Sequence, residues 1–223
     1  MKKQNKKNLY LGLGFLVAFV AWTFLVRFID VRSIGPNGSQ VGLATVNCFV
    51  HNLTGVNMTL YTATDYLGLV PIGVAFGFAI WGLIQWIKRK SILKVDNTIL
   101  MLGGFYVTVA AMYILFENVV INYRPVLIDG RLEISYPSST TMLVLCVIPT
   151  ATKQFNSHIR NILIKKSVCC LGVAFTIFMV IGRLASGVHW VTDIIGGALL
   201  STGLVILHCC FFDLLFEKKK GNR

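Results

Sequence analysis

Residues 182–200 read GRLASGVHWVTDIIGGALL. The stretch joins two apolar runs, roughly 167–188 and 191–216, each long enough to cross about 30 Å of hydrocarbon as a helix. At the join stand three ionisable side chains, Arg183, His189 and Asp193. Charge at the edge of a span is costly to place, so a turn carrying a guanidinium, an imidazole and a carboxylate between two spans marks a candidate site as well as a fold.

Cutting the rest of the chain at charges and turn residues yields four more runs, roughly 9–29, 66–87, 97–120 and 138–155. The expectation is one all-α membrane domain over residues 1–223, a polytopic bundle of six transmembrane helices. The first run follows Lys2, Lys3, Lys6 and Lys7. It is as long as a full span and no A-x-A site follows it, so it reads as an uncleaved helix and not a signal peptide. The fourth is interrupted by Pro149, Lys153 and several hydroxyls, which are tolerated where neighbouring helices cover the backbone. Composition agrees: 55% of the 223 residues are hydrophobic and 13% charged, with a mean hydropathy of +0.71. Soluble domains carry about 25% charge, so that class is excluded.

The formal net charge is nevertheless +12, from 21 Lys and Arg against 9 Asp and Glu. Alternate segments explain it. Sixteen basic residues fall in four equal groups on one side: Lys2, Lys3, Lys6, Lys7; Lys88, Arg89, Lys90, Lys94; Lys153, Arg160, Lys165, Lys166; and Lys218, Lys219, Lys220, Arg223. Five fall on the other, Arg27, Arg32, Arg124, Arg131 and Arg183. The positive-inside rule puts both termini in the cytoplasm and the 121–137 loop outside. The basic excess is then a topology signal beside anionic lipid, and no nucleic acid partner is implied. Six cysteines, five of them inside apolar runs, read as small buried apolar residues and not as a disulfide or metal framework. His208 beside Cys209 and Cys210 reads as packing for the same reason, and His51 and His158 as solvated or interfacial.

The longest outer loop, roughly 30–65, carries a Gly35-Pro36-Asn37-Gly38 turn. After it Val41, Leu43, Ala44, Val46, Phe49, Val50 and Leu53 are placed to line one side of a short interfacial helix.

On the outer side the polar residues cluster. Tyr123-Arg124-Pro125 follows the third run, Tyr136-Pro137-Ser138-Ser139-Thr140 opens the fourth, Gly182-Arg183 closes the fifth, and His189 to Asp193 opens the sixth. Tyr123 and Tyr136 serve equally well as interfacial anchors or as lining. His189 and Asp193 are i and i+4, so on a helix they share a face and hydrogen-bond. A carboxylate holding one ring nitrogen leaves the other free as nucleophile or base. Arg124 and Arg183 complement it, because guanidinium donors bind phosphate oxygens bidentately and stabilise a transferring phosphoryl group.

The order Arg-Pro, Pro-Ser-x-x, Arg-x5-His-x3-Asp resembles the three signature motifs of the type 2 phosphatidic acid phosphatase superfamily of integral-membrane lipid phosphatases. Its undecaprenyl-diphosphatase-like members are included, and the resemblance covers about residues 60–210. The third motif is the most specific part: Arg183, His189 and Asp193 at the family spacing, with Gly187, Trp190 and Gly196-Gly197 around them. The resemblance implies a phosphoryl transfer without metal or other cofactor at the extracytoplasmic face of the plasma membrane. His189 would form a phosphohistidine, Asp193 would orient it, Arg124 and Arg183 would bind the phosphate oxygens, and Ser138 would donate a hydrogen bond to them.

Two positions depart from the family pattern. Where the first motif has Lys, this chain has Glu117; where the second has the His that serves as general acid, it has Thr140. Glu117, Ser139 and Thr140 are candidates for the layer around the site. Thr140 cannot replace the acid at an ordinary pKa. Expelling an alkoxide nearly demands a proton donor, whereas a phosphate monoester leaves a diphosphate without one, its second pKa being about 6. The expected activity is therefore hydrolysis of a lipid diphosphate such as a polyprenyl diphosphate. The alternatives are a lipid phosphotransferase using the same His189, or a non-catalytic lipid-binding or transport member of the fold.

Overall fold

The computed structural model describes residues 3–221 and the side chains of residues 4–214. Among the basic residues partitioned above, the side chains of Lys2, Lys3, Lys218, Lys219, Lys220 and Arg223 lie outside the described residues. Eight α-helices are present among them: α1 Lys3–Phe28, α2 Ala44–Thr54, α3 Met58–Leu67, α4 Leu69–Arg89, α5 Asn97–Asn118, α6 Ser139–His158, α7 Ile162–Ala185 and α8 Val191–Gly221. Among the described residues there is no strand; isolated bridges such as Tyr123 with Ile134 fold the α5–α6 connection on itself.

Five helical stretches are long and apolar enough to cross a membrane: Gln4–Phe28, Met58–Arg89, Asn97–Asn118, Ile162–Ala185 and Val191–Leu214. The sequence predicted six, and the stretch outside this set is α6. Its low hydropathy has a structural cause, since α6 packs against α4, α5, α7 and α8 at the centre of the bundle. Ten of its side chains are buried, among them Thr140, Thr141, Thr150 and Gln154. A helix surrounded by helices meets no lipid and does not need an apolar surface all round. Its polar groups are used internally. Thr150 donates its hydroxyl to the Cys146 carbonyl at 2.7 Å, and Gln154 donates to the Thr98 hydroxyl at 3.0 Å.

Contacts sort the bundle into two ends. At one, Cys210 meets the Asn5 carbonyl, Lys153 pairs with Asp213 at 3.2 Å, Arg89 pairs with Asp96 at 2.8 Å, and His158 lies against Trp81 and within 3.3 Å of Gln154. His158, expected to be solvated or interfacial, is exposed at the edge of this cluster. His208 stacks on Phe105 at 4.5 Å, as packing requires. At the other end, Trp22 donates to the Thr192 carbonyl at 3.1 Å and Tyr136 shares a hydrogen bond with Thr23 at 2.7 Å. The candidate site lies here.

The outer loop is more structured than its reading implied. Residues 58–67 form α3, continuous with α4 except for a kink at Gly68. A short helix, α2, stands where one was expected, but the residues assigned to one side divide. Val41 and Ala44 are buried, while Val46, Phe49 and Leu53 are exposed. The reason is the opposite face, where Asn47 is wholly buried and bonds the start of α8: its Nδ2 donates to the Thr192 hydroxyl at 3.0 Å and its Oδ1 accepts from the Thr192 amide at 3.3 Å. Asp30 anchors the first turn of α2 by accepting from the Thr45 amide at 2.7 Å, which holds its carboxyl below the usual range.

Candidate active site

The centre of the site is the turn between α7 and α8. Gly187 has φ +67°, and a Cβ there would stand 1.8 Å from the Gly55 carbonyl oxygen, so the turn demands glycine both for its conformation and for its closeness to the α2–α3 connection. The Asn57 amide donates to the Ser186 carbonyl at 2.9 Å and ties the two segments together. Arg183, in the last turn of α7, is 1% exposed; His189 is 3% exposed and Asp193 is fully buried.

His189 Nε2 lies 3.2 Å from Nη2 of Arg183. A guanidinium only donates, so this contact demands a lone pair on Nε2 and places the ring proton on Nδ1. Nδ1 faces Asp193 Oδ2 at 3.5 Å. The sequence expected a hydrogen bond on a helical face. His189 instead precedes α8, which starts at Val191, and the separation exceeds a well-formed hydrogen bond, so the contact is electrostatic. The same Oδ2 accepts from the Trp190 amide at 2.9 Å, so the carboxylate also closes the turn into α8. Burial, and then the positive charge of Arg124 and Arg183, push the His189 pKa well below the usual imidazole value. The ring is neutral at pH 7, with Nε2 unprotonated.

Two arginines from distant segments meet here. Arg183 Nη1 reaches Asp65 at 3.4 Å and the Thr64 hydroxyl at 3.5 Å, both on α3. Arg124, in the α5–α6 connection, is 9% exposed and holds Nε 3.0 Å from Glu133 Oε2. Beyond that ion pair, Nη1 of Arg124 and Nε of Arg183 are buried without a hydrogen-bond partner. Two buried guanidinium donors, one from each arginine, are thus left for an oxyanion. Both guanidinium groups lie over the ring of Tyr61, at 5.1 Å for Arg183 and 5.8 Å for Arg124. Tyr61 keeps the two cations side by side.

Ser138 caps α6, and its amide donates to the Asp193 carbonyl at 3.0 Å. Its hydroxyl oxygen accepts from Thr141 at 3.0 Å, leaving its own proton free to donate. Tyr136 is fully buried, so of its two readings the structure favours lining over anchor: it borders the cleft of His189, and its ring packs on α8, where a Cβ on Gly196 would come within 2.7 Å of it. Tyr123 offers its carbonyl to the Trp190 indole at 2.7 Å. Glu117 and Ser139 line one narrow cleft with Tyr113, Phe116, Tyr136 and His189. Thr140 turns away from it toward the α3–α4 kink, 3.3 Å from where a Cβ on Gly68 would stand. His51 is half-buried against Trp190, with ring centroids 5.4 Å apart.

Sequence reasoning brought Arg124, Arg183, His189 and Asp193 to one place, and the structure does the same. It missed Tyr61, Thr64 and Asp65, because α3 was assigned to a loop, and it missed Glu133, Asn47 and Asn122. Asn122 stands two residues before Arg124. It is buried, accepts from the Gly42 amide at 3.1 Å and adjoins the Asp193 carboxylate together with Ser135. No periodicity marks such a residue. Among the described residues no three His, Cys, Asp or Glu side chains converge as a metal set would.

No protein-family model and no curated protein sequence matches the chain. A solved structure does resemble it, the crystal structure of the first transmembrane PAP2 type phosphatidylglycerolphosphate phosphatase from Bacillus subtilis. The two share 20% identity over 92% of this chain and 96% of that one, with a TM-score of 0.53. At this identity the likeness is one of fold: an all-helical, multi-pass membrane architecture.

Proposed function

We propose that the chain is an integral-membrane lipid phosphatase that hydrolyses a lipid diphosphate, such as a polyprenyl diphosphate, at the extracytoplasmic face of the plasma membrane. What supports the reading above all is the line Arg183–His189–Asp193, a neutral buried imidazole fixed between a guanidinium at Nε2 and a carboxylate at Nδ1. The two unpaired donors beside it, Nη1 of Arg124 and Nε of Arg183, suit phosphoryl oxygens.

The bundle crosses the membrane six times, with α6 as the shielded crossing and both termini in the cytoplasm. The basic side chains Arg89 and Lys153 lie at the end of the bundle opposite His189, as this orientation requires. α2 rests in the outer interface on its exposed row Val46, Phe49 and Leu53.

In the first half-reaction the terminal phosphate takes the place that Arg183 Nη2 now occupies at Nε2. His189 Nε2 attacks phosphorus and the bond to the bridging oxygen breaks. The lipid monophosphate leaves with the electron pair and needs no proton. Arg124 and Arg183 meet the charge on the transferring oxygens, Ser138 donates its free hydroxyl proton to one of them, and Asp193 holds Nδ1–H as the ring becomes positive. In the second, water releases inorganic phosphate. With two guanidinium groups meeting the oxyanion charge, turnover is expected to persist in chelator.

The test is phosphate release by purified protein from polyprenyl diphosphate, from phosphatidic acid and from phosphatidylglycerolphosphate, with and without chelator. The expected result is release from the diphosphate in preference to the monoesters, abolished by His189→Ala. No release from any of the three, or unchanged release by His189→Ala, overturns the reading.

A further inference from the structure

A good leaving group eases only the first half-reaction. In the second, water attacks a phosphohistidine, and its proton needs an acceptor whatever lipid has departed. Thr140 provides none, and it faces the α3–α4 kink.

Four carboxylates surround the site and three are engaged. Asp65 pairs with Arg183, Glu133 lies against Arg124, and Asp193 accepts from the Trp190 amide and faces Nδ1 of His189. Glu117, in the last turn of α5, pairs with no cation among the described residues. Its near neighbour is Tyr113, one turn back on the same helix. It lines the cleft that holds His189 and Ser139, and it is exposed. An unpaired carboxylate that shares a cleft with the phosphorylated residue and opens to solvent has the requirements of a water-activating base.

We propose, resting on the phosphatase reading, that Glu117 is the general base of the dephosphorylation step. A water between Glu117 and the phosphorus attacks in line with the P–Nε2 bond. A P–O bond forms, the P–N bond breaks with its electron pair returning to Nε2, and the water proton passes to the Glu117 carboxylate and from there to solvent. His189 returns to the neutral form with its proton on Nδ1. Tyr113, Phe116 and Tyr136 form the aromatic walls of this cleft.

The experiment is rapid-quench labelling of the full-length protein with polyprenyl diphosphate carrying 32P in the terminal phosphate, for wild type, Glu117→Gln, Glu117→Asp and His189→Ala. The glutamine variant is expected to release phosphate about 10²–10⁴-fold more slowly while an acid-labile phosphoenzyme builds up toward one per chain. Glu117→Asp should recover part of the rate and lower the label. Wild-type turnover by Glu117→Gln overturns the proposal and leaves the phosphatase reading standing. So does a slow Glu117→Gln that gathers no label, because its defect then lies in the first step. A wild-type protein that neither releases phosphate nor becomes labelled overturns the phosphatase reading itself.

Discussion

In the proposed reaction His189 can attack only while its imidazole is neutral, and the two arginines that would bind phosphate also favour that form. Burial comes first and the positive charge of Arg124 and Arg183 second in holding its pKa well below the usual 6.5. The acid limb of kcat/KM, which reports the free protein, is therefore expected below pH 6.5. Arg124→Gln removes one positive neighbour, so the limb in its residual activity should move to higher pH; a shift the other way would contradict this electrostatic account. The same linkage acts on stability. An unfolded imidazole takes up its proton as pH falls through 6.5 while the folded one does not, so stability is lost from that pH downward. Asp193→Asn keeps an oxygen for the Trp190 amide but removes the charge that faces Nδ1. Activity should fall about 10²–10⁴-fold with the helical circular dichroism unchanged, a split that a purely structural carboxylate would not produce.

At the scale of single elements, α2 and α6 each do what their composition alone does not announce. α2 presents Val46, Phe49 and Leu53 outward and spends its other face on holding the start of α8 through Asn47. Asn47→Ala leaves the Thr192 amide and the Gly42 carbonyl buried without their partner, at a cost of about 1–3 kcal/mol. The thermal midpoint and the turnover should both drop, whereas Asn52→Ala, at an exposed position of the same helix, should change neither; equal behaviour of the two variants would remove α2 from the site's support. The α6 sequence reads as a poor span because it is a central helix, and Thr150 and Gln154 carry hydrogen bonds inside the bundle that lipid could not supply. Its first turn faces the site and its flank packs on four neighbours, so a hydroxyl-rich helix is well placed to hold Ser139 in the cleft of His189 and Ser138 against the Asp193 carbonyl.

For the whole molecule the orientation is the decisive property, since it sets which leaflet the site serves. In a cysteine-free background a membrane-impermeant thiol reagent should label Arg131→Cys in intact cells and Leu93→Cys only after permeabilisation; the reverse pattern would place the site in the cytoplasm. Much of this organisation was legible beforehand. Long apolar runs announce a helical membrane chain, and the four basic groups predict its sides, because transfer of a side chain into hydrocarbon depends on its own chemistry and little on its neighbours. The spacing of Arg183, His189 and Asp193 was legible for a similar reason, being local to one turn and the helix that follows it. What composition and spacing leave open is anything that depends on who stands next to whom across the bundle. Tyr61 beneath both guanidinium groups, Asp65 on Arg183, Glu133 on Arg124, Asn47 on Thr192 and Glu117 in the cleft of His189 come from segments far apart in the chain. By itself the sequence determined an all-helical membrane chain with an imidazole, a carboxylate and two guanidinium groups at one depth. Only the tertiary structure decided which carboxylates are paired with a cation and which one, among the described residues, is not, because pairing between distant segments is fixed by packing and leaves no periodic trace in the residues that make it.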